Sequence, residues 1–297
     1  MKKEIDLNPM WVTGFSDGEA SFSVPISANN LYKTNYSIIP RFSIELKDTD
    51  LDLLYKIKYF FKDVGKIYIL EKKGHAVYTV SKISDLQTVI IPHFTNYPLL
   101  TVKRITFLLF KEIINLMYNK KHFDIEYMNT IIINKSFMNK NICKTTAKDI
   151  LSFPKDILNQ ISPLNVNNIN FNWLAGFTDA EGCFFLNIRI KNIIPVFSLV
   201  QHSRDIILFN LIKDFLGGGF IVEERNKNVI RYRSEKLSFI INIIIPLFYS
   251  HSLQSKKVLD FIDFSLACKL LNSKAHLTDE GLLNIKSIKS NMNSNRK

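Results

Sequence analysis

The sequence predicts an α+β protein in which a unit of helix, two strands, helix, two strands and helix (αββαββα) occurs twice. Three observations predict this fold class. One block of sequence recurs in the second half of the chain, further blocks recur in the same order, and after each block the spacing of apolar residues changes from helical to alternating. The chain of 297 residues is long enough for two medium-sized domains.

The duplication is clearest in residues 11–22 (Trp-Val-Thr-Gly-Phe-Ser-Asp-Gly-Glu-Ala-Ser-Phe). They recur as residues 173–184 (Trp-Leu-Ala-Gly-Phe-Thr-Asp-Ala-Glu-Gly-Cys-Phe), with six identical positions. The further matching pairs are residues 42–50 with 197–205, residues 90–94 with 244–248, and Lys103 with Lys257. Because these blocks match in the same order, we interpret residues 8–118 and 170–272 as two copies of one unit.

The predicted domains are an N-terminal repeat (1–118), a linker (119–169) and a C-terminal repeat (170–297). The linker is rich in Asn and Lys, and we expect a helix within it at about residues 147–161. Thr278, which is followed by two acidic residues, predicts the start of a last helix. The residues from Asn291 onward are polar and basic, and we expect them to be frayed.

The first helix of each unit has a recognisable start. Asn8 and Pro9 supply an N-cap and a first helical residue, and Asn170 occupies the equivalent place in the second unit. Apolar residues then alternate with mostly polar ones over residues 21–27 and 183–191. This alternation predicts a sheet with one buried face and one mostly polar face.

A second helix separates the two pairs of strands in each unit. Asp48 or Thr49 can cap this helix in the first unit, and we expect it to end near Val64, just before Gly65. The equivalent helix of the second unit is expected to end at residues 217–219, which are three glycines.

Composition restricts the possible partners and compartments. The formal net charge of +12 is typical of proteins that bind a polyanion such as nucleic acid, although a merely basic protein remains an alternative. Cys143, Cys183 and Cys268 lie far apart, so they predict neither a disulfide framework nor a zinc site, and they fit a reducing compartment. The start of the chain lacks an apolar signal segment, and the longest apolar run (239–248) is too short to span a bilayer.

Small residues recur within the repeated block. Gly14 and Gly18 lie four residues apart, as do Gly176 and Ala180, so each pair shares one face of its helix. Glycine within a helix costs about 0.5–1 kcal/mol relative to alanine. Close packing of each first helix against its repeat would explain why this cost is accepted.

That packing would bring Glu19 and Glu181 together at the C-terminal ends of the two helices. Two carboxylates there repel each other and face the negative pole of each helix, and a divalent cation such as Mg²⁺ removes this cost. The alternative, for one copy of the repeated block taken alone, is that its Asp and Glu are an ordinary solvated pair on the protein surface. Asp17 and Asp179 lie two residues earlier and are predicted to have a structural role at the helix–strand junction.

Residues 11–19 and 173–181 resemble the two LAGLIDADG motifs of single-chain homing endonucleases, and residues 201–205 and 276–281 resemble the I-OnuI-like subgroup. The resemblance implies a saddle of two αββαββα halves, with antiparallel sheets on the DNA face and the motif helices packed at the centre. It implies that Glu19 and Glu181 are catalytic metal ligands for Mg²⁺, with Ca²⁺ binding in its place without supporting cleavage.

Three further catalytic residues are implied by the same resemblance. Gln201 would order waters near the metal, and Lys103 and Lys257 would lie near the scissile phosphates. The alternatives are a solvent-exposed strand end for Gln201 and plain surface charge for the lysines. Leu46 stands where the first unit would have its equivalent of Gln201, so the two cleavage centres are expected to be chemically unequal.

The polar strand faces are then expected to read DNA, because Arg, Asn and Ser side chains can recognise base edges. The alternative is an ordinary solvated sheet face. The candidate DNA-binding residues are Ser21, Ser23, Ser27, Asn29, Arg41, Ser43, Lys66, Tyr68, Asn187, Arg189, Lys191, Ser198, Arg231 and Arg233.

The functional hypothesis is a monomeric, site-specific endonuclease that cuts both strands of a long asymmetric DNA target and does not bind membranes. By resemblance it is expected to be encoded by an intron and made within mitochondria. The first alternative is an RNA maturase that binds intron RNA and assists splicing. The second is a DNA-binding regulator on a decayed scaffold, and the presence of both Glu19 and Glu181 argues against it.

Overall fold

The computed structural model describes residues 7–138, 154, 157, 159–189, 192–293 and 296. The chain divides into two compact units, unit 1 (Met1–Pro163) and unit 2 (Leu164–Lys297). Each unit contains one four-stranded antiparallel sheet with helices against one face, which confirms the predicted fold class of two repeated α+β units.

Unit 1 begins with the helix Pro9–Glu19, here called the motif helix of that unit. Its strands are β1 (Ala20–Ser23), β2 (Ile26–Ala28), β3 (Tyr36–Ile38), β4 (Arg41–Lys47), β5 (Lys66–Leu70) and β6 (His75–Val80). The later helices are Leu51–Phe60, a helix of three consecutive stretches (Ile83–Asp85, Leu86–Ile90, Ile91–Asn96), Lys103–Tyr118 and Ile125–Met138. We call Lys103–Tyr118 the closing helix of unit 1.

Unit 2 repeats this order with its own motif helix, Phe171–Glu181. Its strands are β7 (Gly182–Arg189), β8 (Asn192–His202), β9 (Phe220–Glu224) and β10 (Val229–Ser234). The other helices are Ile206–Leu216, the three stretches Leu237–Phe239, Ile240–Ile244 and Ile245–Ser250, the closing helix Lys257–Asn272, and Asp279–Ser290. Strand order is β1-β4-β6-β5 in unit 1 and β7-β8-β10-β9 in unit 2.

The predicted starts of both motif helices are confirmed, whereas the cap by Asp48 or Thr49 is wrong, because a 3-10 turn (Asp48–Asp50) precedes the helix Leu51–Phe60 and places Asp50 at its N-cap position. The side chains of Asn8 and Asn170 accept hydrogen bonds from Met10 N and Asn172 N, at 2.9 and 2.7 Å. The helix predicted to end near Val64 ends at Phe60 instead, because Lys62 and Asp63 take left-handed backbone conformations before Gly65.

The core of each unit contains a cluster of five phenylalanines on the helix-covered face of the sheet. In unit 1 the ring of Phe22 lies 5.3–5.4 Å from those of Phe42, Phe94, Phe107 and Phe110. In unit 2 the ring of Phe184 lies 5.1–5.5 Å from those of Phe197, Phe248, Phe261 and Phe264. Four equivalent rings therefore pack around one strand residue in both units, three residues after the end of each motif helix.

Prolines make the first strand pair of the two units different. The predicted continuous strand from Phe22 is interrupted in unit 1, where Pro25 separates β1 from β2 and Pro40 separates β3 from β4. In unit 2, Pro195 remains inside β8 opposite Leu186. At this position β8 pairs only with β7, because its pairing with β10 begins at Phe197, so the missing N–H of proline is tolerated.

Each unit contains a helix that the predicted αββαββα pattern lacks, directly after its last strand. The middle stretch of this helix is π-helical, and Ile91 N–H bonds the carbonyl of Leu86, five residues earlier. Pro92 follows at once, and Pro246 follows the equivalent stretch of unit 2. The wider turn accommodates a proline ring that would clash with the carbonyl four residues back in a regular α-helix.

The segment predicted as a linker begins with regular structure. The helix Ile125–Met138 packs against the closing helix of unit 1 as Asp279–Ser290 packs against that of unit 2. The helix expected at residues 147–161 lies mostly outside the described residues. The predicted start of the last helix is confirmed, because the Thr278 side chain accepts a hydrogen bond from Gly281 N.

The prediction of a frayed C-terminal end is wrong for the residues that the structure describes there. Met292 is only 2% exposed, and Arg296 donates hydrogen bonds to Asp260 and Asp263 at 2.9 and 2.6 Å. The two aspartates on the closing helix of unit 2 hold Arg296 in place.

Candidate active site

The two candidate catalytic carboxylates occupy the same structural position in their units. Glu19 and Glu181 are the last residues of the motif helices, and the next residue in each case starts a strand of the sheet. Both glutamates are half-buried. The chain therefore presents each carboxylate at a junction that is fixed by a helix on one side and by a β-ladder on the other.

A lysine from the closing helix contacts the end of each motif helix. Lys103 Nζ donates to the carbonyls of Ser16 and Gly18, both at 2.9 Å. Lys257 Nζ donates to the carbonyl of Thr178 at 3.0 Å and to that of Ala180 at 3.4 Å. These carbonyls carry the negative pole of the helix, so each ammonium group neutralises it directly beside a glutamate.

A buried aspartate fixes the start of each closing helix and therefore its lysine. Asp17, which is 1% exposed, accepts hydrogen bonds from Leu100 N (2.9 Å), Thr101 N (3.0 Å) and Thr101 Oγ1 (2.6 Å). Thr101 Oγ1 in turn accepts a hydrogen bond from Lys103 N at 3.2 Å. The predicted structural role of Asp17 is borne out, although it anchors the loop before the closing helix rather than the helix–strand junction.

Unit 2 repeats this anchor with different residues. Asp179 accepts hydrogen bonds from Gln254 N (2.7 Å), Ser255 N (3.2 Å) and Ser255 Oγ (2.5 Å). Ser255 Oγ accepts a hydrogen bond from Lys257 N at 3.1 Å. A hydroxyl residue therefore links aspartate and lysine in both units, as threonine in one and serine in the other.

Gln201 makes the surroundings of the last motif-helix residue different in the two units. Its Nε2 donates to Glu181 Oε1 at 3.2 Å, and its Oε1 accepts a hydrogen bond from His202 N at 2.9 Å. The amide is therefore oriented at both ends. The equivalent residue of unit 1, Leu46, has no hydrogen-bonding side chain and cannot donate to Glu19 in this way.

The donor set suits a hard divalent cation. Among the described residues, no group of three or more His, Cys, Asp or Glu side chains is arranged to hold a metal ion. Mg²⁺ seldom needs such a group, because it is usually bound by one or two carboxylates together with water and phosphate oxygens. The half-buried carboxylates of Glu19 and Glu181 fit this mode of binding.

The polar strand face of unit 1 carries the predicted DNA-binding residues in register. Ser21 lies opposite Ser43, and Ser23 lies opposite Arg41. Ser43 pairs with Thr79, which in turn pairs with Lys66, so these side chains form a row across the sheet. Tyr68 is 52% exposed in the next row. Ser27 is exposed on β2, whereas Asn29 Oδ1 accepts a hydrogen bond from Leu31 N and stabilises the hairpin turn.

The predicted DNA-binding residues of unit 2 are more engaged within the protein. Arg231 contacts Glu224 at 2.6 Å and Arg233 contacts Glu235 at 2.8 Å. Ser198 is only 4% exposed. Asn187 is half-buried and Arg189 is exposed on β7, and Lys191 lies outside the described residues.

Residues that the sequence analysis did not select also lie on the polar face of unit 1. His75 Nδ1 and Glu45 Oε1 are 2.9 Å apart, and Thr79 belongs to the serine row described above. The alternation of His75, Val77 and Thr79 along β6 was the signal that could have identified them.

This chain resembles known proteins over most of its length. A sequence model described as LAGLIDADG endonuclease matches residues 12–114 and 174–268. "Probable intron-encoded endonuclease 2" of Neurospora crassa is 34% identical over 96% of this chain and 65% of its own length. "Probable intron-encoded endonuclease 3" of the same fungus is 29% identical over 94% of this chain and 53% of its own length. This chain thus spans between half and two thirds of these two relatives.

A crystal structure of the meganuclease I-SmaMI bound to uncleaveable DNA has a TM-score of 0.86 and 32% identity, and the match covers 98% of this chain and 99% of that one. No helix within the described residues is both long enough and apolar enough to cross a bilayer. Two family-model matches coincide with the two units and with both motif helices, so this chain belongs to the LAGLIDADG endonuclease family.

Proposed function

We propose that this chain is a site-specific endonuclease that hydrolyses both strands of a long, asymmetric DNA duplex with the help of a divalent metal ion. The observation that carries the proposal is the duplicated helix end. In each unit a half-buried glutamate follows directly on carbonyls that are bound by a lysine, and a buried aspartate fixes that lysine. The relatives' names as endonucleases and the DNA in the I-SmaMI crystal structure support this activity.

Glu19 and Glu181 would each be a ligand of a divalent metal ion, for which we propose Mg²⁺. A divalent cation bound by carboxylates lowers the pKa of coordinated water and stabilises the leaving oxygen of a phosphodiester. Another I-SmaMI structure holds an uncleaved DNA target in the presence of calcium ions, with 31% identity and a TM-score of 0.85. That observation supports the proposal that Ca²⁺ replaces Mg²⁺ here without supporting cleavage.

The remaining site residues have proposed roles that follow from their contacts. Lys103 and Lys257 keep the negative pole of each motif helix neutralised and place a positive charge near the phosphates. Gln201 would orient the carboxylate of Glu181 and would order water beside it. Apart from the buried Ser198, the residues named from the sequence would contact double-stranded DNA, with Arg231 and Arg233 exchanging their carboxylate partners for DNA.

We further propose that the enzyme acts as a monomer, because one chain carries both units. The names of the two Neurospora relatives describe intron-encoded proteins, which supports an intron-encoded origin. Synthesis in mitochondria is proposed from the family resemblance of the sequence alone. Binding of intron RNA remains the alternative, and the first experiment distinguishes the two.

The first test is cleavage of a library of long random duplexes in Mg²⁺, Ca²⁺ or EDTA, followed by assays on the selected site. We expect cuts at one site in Mg²⁺ and binding without cleavage in Ca²⁺. Glu19→Gln and Glu181→Gln should each abolish double-strand cleavage and retain binding, whereas Glu126→Gln, which alters an exposed glutamate on another helix, should cut normally. Normal cleavage by both active-site variants, or selective binding of intron RNA with no cleavage of DNA, would refute the proposal.

A further inference from the structure

An arginine on the polar face of the unit 2 sheet is held by a carboxylate from the neighbouring strand. Arg231 Nε donates a hydrogen bond to Glu224 Oε1 at 2.6 Å. Arg231 lies opposite Val222, two residues before Glu224 on β9, so the contact runs diagonally between the strands. Ile230 and Tyr232, on either side of Arg231, are buried on the helix-covered face. The ion pair therefore lies on the face of the sheet to which we propose that DNA binds.

Unit 1 carries neither member of this pair. Leu70 and Val77 stand at the positions of Glu224 and Arg231. Leu70 and Glu224 each end the outer strand of their sheet, and Val77 and Arg231 are each the third residue of the adjoining strand. One unit thus has both charges and the other has neither, which favours a role for the two residues as a pair.

Two cations contact the carboxylate of Glu224, and Arg231 makes the closer contact. The other oxygen, Glu224 Oε2, lies 3.2 Å from Lys227 Nζ, but the lysine side chain is 74% exposed and water screens this contact. Hydrogen bonds from Arg231 and Lys227 hold the pKa of Glu224 below its ordinary range, so the carboxylate is ionised at neutral pH. When Arg231 moves to DNA, Glu224 Oε1 loses its donor and its charge faces a polyanion.

A released carboxylate distinguishes the bases by the groups that they present in the major groove. The amino group at N4 of cytosine donates a hydrogen bond that a carboxylate can accept. Guanine and thymine present acceptors, which repel a carboxylate, and adenine presents its N7 acceptor beside its amino group. Arginine in turn bonds O6 and N7 of guanine together. Because Glu224 and Arg231 touch, the bases that they reach lie in the same base pair or in adjacent ones.

We propose that Glu224 is a specificity-determining residue, which accepts a hydrogen bond from a cytosine amino group when Arg231 leaves it for a guanine. The inference rests on the proposed endonuclease function, because that function brings DNA to this face of unit 2. A duplex with both bases in place gives each side chain a new partner. Any other duplex leaves the ion pair closed, without a DNA contact from Arg231, or leaves the carboxylate without a donor. The pair thus acts against non-target DNA as well as for the target.

The test selects bound duplexes from the random library in Ca²⁺, in which we expect no cleavage, and compares the base preferences of variants of the full chain. Glu224→Gln should relax a preference for cytosine at one position, because a neutral amide both donates and accepts. Arg231→Gln should relax a preference for guanine in the same or an adjacent base pair. Glu223→Gln is the matched control. It removes the same charge from the next residue, which lies opposite Ile230 on the other face of the sheet, and should keep both preferences.

A modified site gives the magnitude of the effect. Methylation of the amino group of the selected cytosine removes the major-groove donor and keeps the base pair with guanine. It should weaken binding by the unaltered chain at least about tenfold and binding by Glu224→Gln less than about threefold. Unchanged melting temperatures verify that the variants fold.

Three results would overturn the inference alone. They are a base preference that Glu224→Gln leaves intact, equal relaxation by Glu223→Gln, and equal sensitivity of the unaltered chain and Glu224→Gln to cytosine methylation. In each case the unaltered chain still selects one site, so the proposed endonuclease function stands. A complete lack of sequence-selective DNA binding by the unaltered chain would overturn the proposed function together with this inference.

Discussion

Replacing Gln201 by leucine, the residue that unit 1 has at this position, tests the inequality of the two helix ends. The hydrogen bond from Gln201 Nε2 to Glu181 Oε1 is 3.2 Å long. A hydrogen bond to a charged group is worth about 1.5–3 kcal/mol, and the length of this one favours the lower end. A loss of about 1.5 kcal/mol in the transition state corresponds to about a tenfold slower reaction.

The assay is single-turnover cleavage of the target duplex with a different label on each strand. We expect Gln201→Leu to slow one strand about tenfold and to leave the other within about twofold. Binding measured in Ca²⁺ should be unchanged, since the amide contacts Glu181 and the backbone of its own strand. Equal slowing of both strands, or no slowing of either, would refute the reasoning that Gln201 acts on Glu181 alone. Leu46→Gln is the reciprocal variant and should accelerate the slower strand of the unaltered enzyme.

Three further predictions concern stability and the lysine contacts. Asp17→Ala should lower the free energy of unfolding by about 3–5 kcal/mol in urea titrations, because it leaves buried backbone donors unsatisfied, whereas exposed Asp214→Ala should change it by less than about 0.5 kcal/mol. Burial lowers the pKa of His93 from its ordinary value of 6.5 to about 3. Between these two pH values the unfolded chain binds a proton that the folded chain does not bind, so the free energy of unfolding should fall by at most about 1.4 kcal/mol per pH unit as the pH is lowered. His93→Leu, which copies Leu247 of unit 2, should make acid unfolding curves shallower over that range, and an unchanged slope would contradict this origin. Lys103→Met should lower the free energy of unfolding in urea titrations by only about 1–2 kcal/mol, yet it should slow single-turnover cleavage strongly while DNA binding is retained. Unaffected cleavage would limit the lysine to a structural role.

The sequence was most informative where a signal is local. The asparagine caps, the switch to strand alternation after each motif helix and the Thr278 cap are set by residues within a few positions of one another. The duplication then gave the order of elements twice over, which is why the main helices and both sheets were predicted correctly. The proline breaks in the first hairpin were missed because Pro25 was interpreted as part of an alternating strand.

The helix Ile125–Met138 illustrates what local signals cannot supply. Three consecutive isoleucines within it favour a strand and give no clear helical periodicity, so its stability comes from packing against the closing helix. Its repeat relation to Asp279–Ser290 is visible only in the short match of His122 with His276 and of Glu126 with Glu280.

The candidate site was predicted in identity more than in arrangement. Glu19 and Glu181 followed from the duplicated motif, whereas Gln201 and the lysines followed from resemblance alone. The partners of Asp17 lie 83 and 84 residues further along the chain, and no local pattern connects them. Sequence spacing therefore identified the carboxylates but not the anchors that hold the lysines beside them.

The linked aspartate, hydroxyl and lysine of each unit have a consequence for how such a protein can change over generations. The hydrogen bonds of the set join each motif helix to the closing helix of the same unit through a carboxylate, a hydroxyl and an ammonium group. In the proposed endonuclease, substitutions on the strand faces can therefore accumulate and shift target preference while the contacts of this set are inherited intact. Substitutions within the set must instead keep a hydroxyl group between the aspartate and the lysine, as Thr101 and Ser255 do in the two units.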